Sequence, residues 1–496
     1  MRLRSALIPL ALAPAFCFAD VKYTLTPEPS NRTVRVTITI DDPKEEESFR
    51  IPAWCPGFYF LLQYQDKISE FKAVDPTGAP LKVDHSQDVR QWTVSDPDKK
   101  PITVSYRVLG DDPGLGFFAT SVLPHTAFVN GASAFMYDVD RLTEATNLKI
   151  KAPQGWQVAT PADPDGEGGY KASGYDELID HPIQMGHFET RKFVQAGIPF
   201  EVVFVSPDQH YTPDLDAETE RLKEVSLPAL KLFGGAQFKR YIFFIHLAVG
   251  NFDGGLEHRA SNVQAIFAHK PLNIDDLAAH EYFHAWNVKQ IRPKILGPFD
   301  YTKEQRTSNL WFAEGVTDYY AKITTYRSGL KDMKWLLSDL SGQVQNLQRS
   351  KMRREISLAD CSRRAWENGG FGVQDLSYYV KGLLVGWIFD AVIRDATDGE
   401  KSLDDVMRLM YSRYHLPQPG YDEGGILAAI NEVTGSDFSH LYNQMVNTTE
   451  ELPYDLLEKI GIAVDPASGS VTVDQKASGK TVVLRNAWLD RPGGIR

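Results

Sequence analysis

H-E-Y-F-H, at residues 280–284, places two histidines four positions apart. Residues with this spacing lie on one face of an α-helix with Cβ atoms about 6 Å apart, so both imidazoles can reach one tetrahedral Zn²⁺. Glu281 is turned roughly 100° around the same helix, which puts it beside such a metal rather than on it. The stretch therefore predicts a metal-bearing helix, with His280 and His284 as ligands and Glu281 as a catalytic residue acting on zinc-bound water.

The residues on both sides favour a helix here. Asp275 and Asp276 suit the positive end of a helix dipole, and Pro293 is expected to stop the helix downstream. The five letters alone also arise by chance in helical proteins, where the histidines are half-buried polar residues. The choice between these interpretations depends on the rest of the sequence.

A third metal ligand is predicted in W-F-A-E-G-V-T-D, residues 311–318. The segment from Asn309 to Tyr326 has the pattern of a second amphipathic helix, so Glu314 can complete a site of two histidines and one carboxylate, with a fourth position left for water. Asp318 follows one turn later on the same face. It either accepts the free ring N–H of a ligand histidine and fixes its tautomer or is a solvated helix charge.

Several separate segments carry a family resemblance. The run H-E-Y-F-H-A-W-N-V-K-Q-I-R-P (280–293) resembles the signature of the glycyl aminopeptidase family of gluzincin zinc metallopeptidases, which have a thermolysin-like catalytic domain and often a C-terminal PDZ domain. Further matching segments are I-P-A-W-C-P-G-F-Y (51–59), F-V-N-G-A-S-A-F-M-Y (128–137), G-G-L-E-H (254–258), L-W-F-A-E-G (310–315) and Y-Y-V-K-G (378–382). The resemblance covers roughly residues 20 to 455 and implies one Zn²⁺ per chain.

The resemblance also implies roles at the substrate. In related aminopeptidases, the strand that matches G-G-L-E-H lines the cleft, and its glycines, here Gly254 and Gly255, let a substrate backbone approach closely. Its glutamate, here Glu257, binds the free α-amine, although the residues alone show only an acid in a turn. Tyr379 matches the tyrosine that donates a hydrogen bond to the oxyanion, with its neighbour Tyr378 as packing.

The expected activity follows from these implied roles. The chain is expected to be a zinc aminopeptidase acting on peptides with a free N-terminus, and the family prefers small first residues, Gly or Ala. An endopeptidase of the same mechanism and a zinc-binding interaction protein without turnover are the alternatives. No pocket residue of the sequence explains the Gly/Ala preference, and nothing indicates the natural substrate or an oligomeric state.

Length and charge limit the class of protein. A chain of 496 residues exceeds the size of a single core. A net charge of −12 with no basic run argues against nucleic acid as a partner. The first residues, 1–19, have a basic start, an apolar core and a small residue at Ala19, which predicts a cleaved signal and export to the periplasm or medium rather than a stable membrane anchor. Phe16 before Cys17 is unlike a lipoprotein site.

The predicted architecture is multidomain. Residues 20–200 read as an all-β, sandwich-like domain, and residues 201–452 as an α+β thermolysin-like peptidase domain with a mainly helical second half. Residues 453–496 are too few for a PDZ domain and are expected to be a truncated remnant, dispensable for chemistry, with strands S-V-T-V (470–473) and T-V-V-L (481–484) and a loose tail from residue 487.

For several further residues the sequence favours a structural role over a functional one. Trp54, Phe58 and Tyr59 are favoured as core residues over a substrate groove. Cys55 and Cys361 are favoured as separate thiols over a disulfide. Salt bridges that hold the metal-bearing helix are the expected role of the remaining signature residues, Asn287, Lys289 and Arg292.

Overall fold

The structure is a computed structural model that describes residues 21–96, 98–112, 117–206, 213–248, 253–267 and 272–490. The predicted signal at residues 1–19, including Cys17, lies outside these ranges. Within them, no helix is both long and apolar enough to cross a bilayer. Cys55 and Cys361 are separate buried thiols, as predicted.

The first part of the chain is β-rich, as predicted. Its largest sheet has the order β13-β14-β11-β1-β2-β7-β4, and two four-stranded sheets have the orders β10-β3-β6-β5 and β12-β15-β9-β8. Apolar and polar residues alternate along β2, which buries Val34, Val36, Ile38 and Ile40, as expected for a strand with one face on a core. The strands are β1 Val21–Glu28, β2 Thr33–Ile40, β3 Glu46–Arg50, β4 Ile68–Val74, β5 Lys82–Ser86, β6 Gln91–Ser95, β7 Ile102–Leu109, β8 Thr120–Val122, β9 Thr126–Val129, β10 Tyr137–Asp138, β11 Thr146–Ile150, β12 Gln157–Ala159, β13 Asp163–Pro164, β14 Tyr170–Ala172 and β15 Ile183–Gly186.

A second sheet leads to the site, in the order β16-β17-β18-β20-β19. Its central strand β18 is a continuous apolar run that pairs in parallel on both sides, which is typical of a strand buried on two faces. The predicted domain boundary after residue 200 falls inside β17, because that strand pairs with β18 and so belongs to this sheet. The strands are β16 Glu189–Gln195, β17 Ile198–Val205, β18 Tyr241–Ala248, β19 Gly254–Glu257 and β20 Ser261–Phe267.

The remainder is mainly helical, as predicted. Helix α8 is buried nearly all round and crosses the segment before α5 at two glycines: a Cβ on Gly315 would lie 2.6 Å from Gly382 Cα. This close approach explains the glycine that ends Y-Y-V-K-G. The helices are α1 Gly131–Ala134, α2 Tyr175–Ile179, α3 Leu215–Phe233, α4 Asp275–Phe283, α5 Val316–Arg327, α6 Met333–Arg349, α7 Leu358–Arg363, α8 Tyr378–Ala396, α9 Leu403–Tyr414, α10 Gly425–Thr434, α11 Ser439–Tyr442 and α12 Lys480–Leu489.

The C-terminal segment differs from the prediction. S-V-T-V is strand β22 (Ser470–Val473), paired with β21 (Ile462–Asp465), but T-V-V-L lies in helix α12. Leu484 and Trp488, four residues apart, share one buried face of that helix, which a strand would have split between two faces. Trp488 is fully buried, and its ring lies 5.9 Å from that of Trp387 in α8. The loose tail predicted from residue 487 is therefore wrong for Ala487–Asp490.

Candidate metal centre

Helix α4 carries the first histidine. Asp275 and Asp276 occupy its first turn, as predicted, and Arg221 and Lys331 contact Asp275. The α-helix ends at Phe283, and the chain continues in turns through Gln290, so Pro293 does not set its end. His284 keeps a helical backbone as the residue that caps α4. The two histidines therefore still face the same side.

The structure brings His280, His284 and Glu314 together. The two Nε2 atoms lie 2.9 Å apart, and Glu314 Oε2 is 3.1 Å from His284 Nε2 and 3.7 Å from His280 Nε2. Two ligands bound at about 2.1 Å to a tetrahedral ion lie roughly 3.4 Å apart, so these three separations bracket the expected value. Two imidazole nitrogens and one carboxylate form a donor set that fits zinc.

Glu314 lies on the second helical element that the sequence predicts, but this element is buried on nearly all sides and is not amphipathic. It lies in a π-helical turn, Trp311–Gly315, that runs into α5, and every residue of this turn is buried. The amphipathic sequence pattern predicts that one face of this helix is exposed to solvent. Helix α8 covers that face instead, because the Gly315–Gly382 contact lets the two backbones approach closely. Such π-helical turns are often found at functional sites.

Hydrogen bonds orient both histidines. His280 Nδ1 is 2.9 Å from Asp318 Oδ1, and His284 Nδ1 is 2.6 Å from the carbonyl oxygen of Asn287. Both partners accept hydrogen bonds, so Nδ1 carries the proton in each ring and Nε2 presents its lone pair to the other ligands. Asp318 therefore lies where a partner of a ligand histidine is expected, and not as a free helix charge.

The signature residues after the histidines act in different ways. Asn287 forms no salt bridge, contrary to the prediction: its Nδ2 donates to the Phe312 carbonyl at 2.9 Å and to Thr317 Oγ1 at 3.1 Å, which joins the two ligand-bearing segments. Lys289 does pair with acids, Asp180 at 3.0 Å and Glu257 at 3.8 Å. Arg292 is buried, and within the described ranges no carboxylate lies within salt-bridge distance of it.

Glu281 lies against strand β19. A Cβ on Gly255 would be 2.5 Å from Glu281 Oε1, so only a glycine lets the strand and this carboxylate meet. Burial raises the pKa of Glu281 to about 7, with His280 and His284 opposing the rise and Glu257 and Glu314 adding to it. Its Oε2 is buried and has no hydrogen-bond partner among the residues that the structure describes. A carboxyl group in this state suits general base catalysis near neutral pH.

Glu257 and Tyr379 line the same cleft, a cavity of about 350 Å³ that also contains Gly254, Gly255 and the metal-site residues. Glu257 is buried at the end of edge strand β19 and is covered by Gly57, where a Cβ would lie 2.7 Å from Glu257 Oε2. The ring of Tyr379, at the start of α8, is 6.1 Å from that of His280. Tyr378 is fully buried and instead donates its O–H to the carbonyl of Gly370.

The sequence did not single out Tyr59 for the site. Its O–H donates to Glu314 Oε1 at 3.3 Å, so the β-rich half touches the metal centre directly. Phe58 lines the cleft, stacked on Phe118 with ring centroids 4.0 Å apart, whereas Trp54 is a core residue as predicted. The sequence feature that could have pointed to Phe58 and Tyr59 as site residues is their position directly after Gly57, in a segment that resembles the family.

Comparisons with known proteins follow the same division of the chain. A family model described as the Peptidase M61 N-terminal domain matches residues 22–187, and one described as M61 glycyl aminopeptidase matches residues 273–385. Together the two matches span more than half of the chain. Among proteins with curated descriptions, none matches it.

Solved structures show the same fold. The chain is similar to an aminopeptidase N family protein from Idiomarina loihiensis, with 27% identity and a TM-score of 0.82, over 90% of this chain and 79% of that one. An M1 zinc metallopeptidase from Deinococcus radiodurans has 13% identity and a TM-score of 0.54, over 88% and 95% of the two chains. A variant of that enzyme bound to a Tyr-Ser-Ala substrate has 14% identity, a TM-score of 0.54 and the same coverage. At such low identity, the last two show the fold alone.

Proposed function

Because the chain belongs to the M61 glycyl aminopeptidase family, whose two domain models it matches, we propose that it is a zinc-dependent aminopeptidase. Membership makes the chain a peptidase. One Zn²⁺ per chain, removal of the N-terminal residue and a preference for Gly or Ala there are the finer steps of the proposal. Peptides with a free N-terminus are the proposed substrates.

One observation carries this proposal: a site that fits zinc and a buried carboxylate suited to an amine share one cleft. His280, His284 and Glu314 converge at separations of 2.9, 3.1 and 3.7 Å. Glu257 lines the same cavity, and its buried Oε1 accepts no hydrogen bond from the described residues. An endopeptidase needs the metal ligands but does not need a buried acid that can bind a substrate ammonium.

Each residue has a step in the proposed reaction. Zinc held by the three ligands supplies Lewis acidity, which lowers the pKa of water from 15.7 to about 7 and polarises a carbonyl. Glu281 accepts the proton of the attacking water and passes it to the leaving amine. Tyr379 donates its O–H to the oxyanion of the tetrahedral intermediate, a contribution worth roughly 3–4 kcal/mol for a well-aimed donor.

Glu257 restricts cleavage to the first peptide bond. An α-amine has a pKa near 8, so a large fraction is cationic at neutral pH and forms a charge-assisted hydrogen bond with a buried carboxylate. With the ammonium held there, the first peptide bond would be the one presented to the metal ligands that line the same cavity. The edge of β19, with Gly254 and Gly255, leaves room for the backbone of that residue.

The test combines a metal assay with substrate series. We expect stoichiometric zinc and hydrolysis of glycyl and alanyl p-nitroanilides, together with a peptide ladder that shortens one residue at a time from the N-terminus. Internal cleavage of N-acetylated peptides at comparable rates would favour the endopeptidase instead. Zinc without any hydrolysis would favour an interaction protein.

We also propose that the chain is exported, on the strength of residues 1–19. Mass spectrometry of the protein from its native host would identify the N-terminus, which we expect at Asp20.

A further inference from the structure

A buried lysine stands between two buried carboxylates behind the cleft. Lys289 Nζ lies 3.0 Å from Asp180 Oδ1 but 3.8 Å from Glu257 Oε1. The first distance is a charge-assisted hydrogen bond, whereas the second is too long for one. Consistent with this, Glu257 Oε1 is buried and accepts no hydrogen bond within the described part of the chain. Lys289 is therefore hydrogen-bonded to Asp180 and lies too far from Glu257 to form a hydrogen bond with it.

Asp180 is itself firmly fixed. It follows helix α2 in the β-rich half, and its Oδ2 accepts the main-chain N–H of Arg259 at 2.8 Å. His258 Nδ1 lies 3.4 Å from Oδ1. Burial alone would raise the pKa of Asp180, but Lys289 and His258 outweigh it and hold that pKa well below its usual range. A permanently ionised, anchored carboxylate is what retains the lysine.

Lys289 is also charged. Burial would lower its pKa, but the carboxylates of Asp180 and Glu257 outweigh that effect and raise it. An ammonium at 3.8 Å attracts Glu257 but is too far away to donate a hydrogen bond to it. The buried Oε1 of Glu257 therefore has no hydrogen-bond donor among the described residues.

We infer that Asp180 is a positioning residue for substrate recognition: by holding Lys289 short of Glu257, it keeps the Glu257 carboxylate out of an internal hydrogen bond and so available to the α-ammonium of the substrate. This inference rests on the proposed function, because it concerns how the amine-binding residue of that function is kept competent. It assigns the β-rich half a part in specificity, since Asp180 belongs to that half and Glu257 to the second sheet.

The consequence of losing Asp180 is specific. Lys289 would need to move only about 1 Å to form a charge-assisted hydrogen bond with Glu257, since such bonds are about 2.7–2.9 Å long. That internal pair would draw the Glu257 carboxylate toward the lysine and so compete with the substrate ammonium for it. The affinity for free-amine substrates would fall, while the metal ligands and Glu281 would be untouched.

The test is the variant Asp180→Asn, which retains an oxygen for the Arg259 N–H. Using alanyl p-nitroanilide, we expect KM to rise roughly 10-fold with kcat retained. Asp176→Asn is the matched control: Asp176 lies on helix α2, which Asp180 follows, and it accepts a hydrogen bond from Tyr301 and forms no ion pair with Lys289 within the described residues. We expect that control to keep the wild-type KM. A wild-type KM in folded, zinc-bound Asp180→Asn would overturn the inference.

A double variant separates positioning from a general structural effect. The Lys289→Met variant has no ammonium that could move toward Glu257. The double variant Lys289→Met, Asp180→Asn should therefore have the same KM as Lys289→Met alone. A further rise in KM would show that Asp180 acts without Lys289 and would overturn the inference. Should Asp180→Asn alone fail to fold, Lys289→Met carries the test: with no ammonium to compete for Glu257, KM should stay near the wild-type value, and a roughly 10-fold rise would overturn the inference.

Failure of this inference and failure of the proposed function look different. If the wild-type enzyme hydrolyses N-acetylated and free-amine substrates alike, amine recognition itself is wrong. If the wild type requires a free amine and Asp180→Asn leaves KM unchanged, the function stands and only the role of Asp180 falls.

Discussion

Tyr59 donates its O–H to Glu314 Oε1 at 3.3 Å, while the other carboxylate oxygen of Glu314 faces His284 Nε2 at 3.1 Å. The tyrosine comes from the β-rich half and the glutamate from the helical half, 255 positions later in the sequence. The phenol thus holds one oxygen of the carboxylate and leaves the other directed at the histidines. The metal centre is therefore built by both halves of the molecule.

The first prediction concerns Tyr59→Phe. Removing the hydrogen bond frees the Glu314 carboxylate to rotate, and we expect zinc affinity to fall by about 10-fold, as for other partners of metal ligands. Competition with a chelator measures it. Tyr64→Phe is the control, because that buried tyrosine of the same half donates to the Phe118 carbonyl and does not contact the ligands. Equal zinc affinities for wild type and Tyr59→Phe would remove Tyr59 from the site.

A second prediction separates metal binding from turnover. Glu281→Gln should retain stoichiometric zinc, because all three ligands remain, and should lose about 10²–10⁴-fold in kcat with the loss of the general base. His284→Ala should instead purify without zinc, since three protein ligands are typical of a catalytic site. Near-wild-type turnover by Glu281→Gln would refute the assigned mechanism, and stoichiometric zinc in His284→Ala would refute the ligand assignment.

The third prediction concerns specificity. Glu257→Ala should cost about 2–5 kcal/mol in kcat/KM for free-amine substrates, because a buried charge pair with the ammonium is lost. N-acetylated substrates present no cation to residue 257, so Glu257→Ala and the wild type should hydrolyse them with the same, low kcat/KM. Comparing kcat/KM for both substrate types checks this. Equal losses on the two would reduce Glu257 to a structural residue.

A fourth prediction concerns the stability that the C-terminal segment contributes, while its dispensability for chemistry stays a prediction. Trp488 is fully buried, and its Nε1 donates to Tyr319 Oη at 3.0 Å. Truncating this side chain to alanine should lower the free energy of unfolding by about 3–5 kcal/mol. Urea denaturation of Trp488→Ala measures the loss, with Val483→Ala as the control because Val483 is exposed on the same helix. Equal stability of the two variants would contradict the packing described.

The fifth prediction is the pH dependence that Asp180 contributes. Its pKa is lower in the folded chain than the value of about 3.9 expected on unfolding, so its contribution is present above about pH 4 and is lost as the pH falls below that. The stability of metal-free Asp180→Asn should therefore fall less steeply over this acid range than that of metal-free wild type. Parallel curves would show that Asp180 has no depressed pKa.

The sequence predicted those features that depend on local spacing. The histidines at positions 280 and 284 need only a helical turn to converge, and the β-rich half followed from alternating apolar residues. Tyr59 and Asp180 could not be found in this way, because their partners lie more than a hundred residues away and are brought near only by the packing of the two halves. The strand predicted at 481–484 failed for a related reason: β propensity is a weak guide where no strand partner exists and α8 offers an apolar surface.

The burial of Trp488 also links helix α12 to the segment that bears the metal ligands. Tyr319, its hydrogen-bond partner, lies next to Asp318 on α5, which extends the turn that carries Glu314. Asp318 in turn lies 2.9 Å from His280 Nδ1. A substitution in α12 would therefore be transmitted along α5 to the histidine, although the two positions are about two hundred residues apart in the sequence.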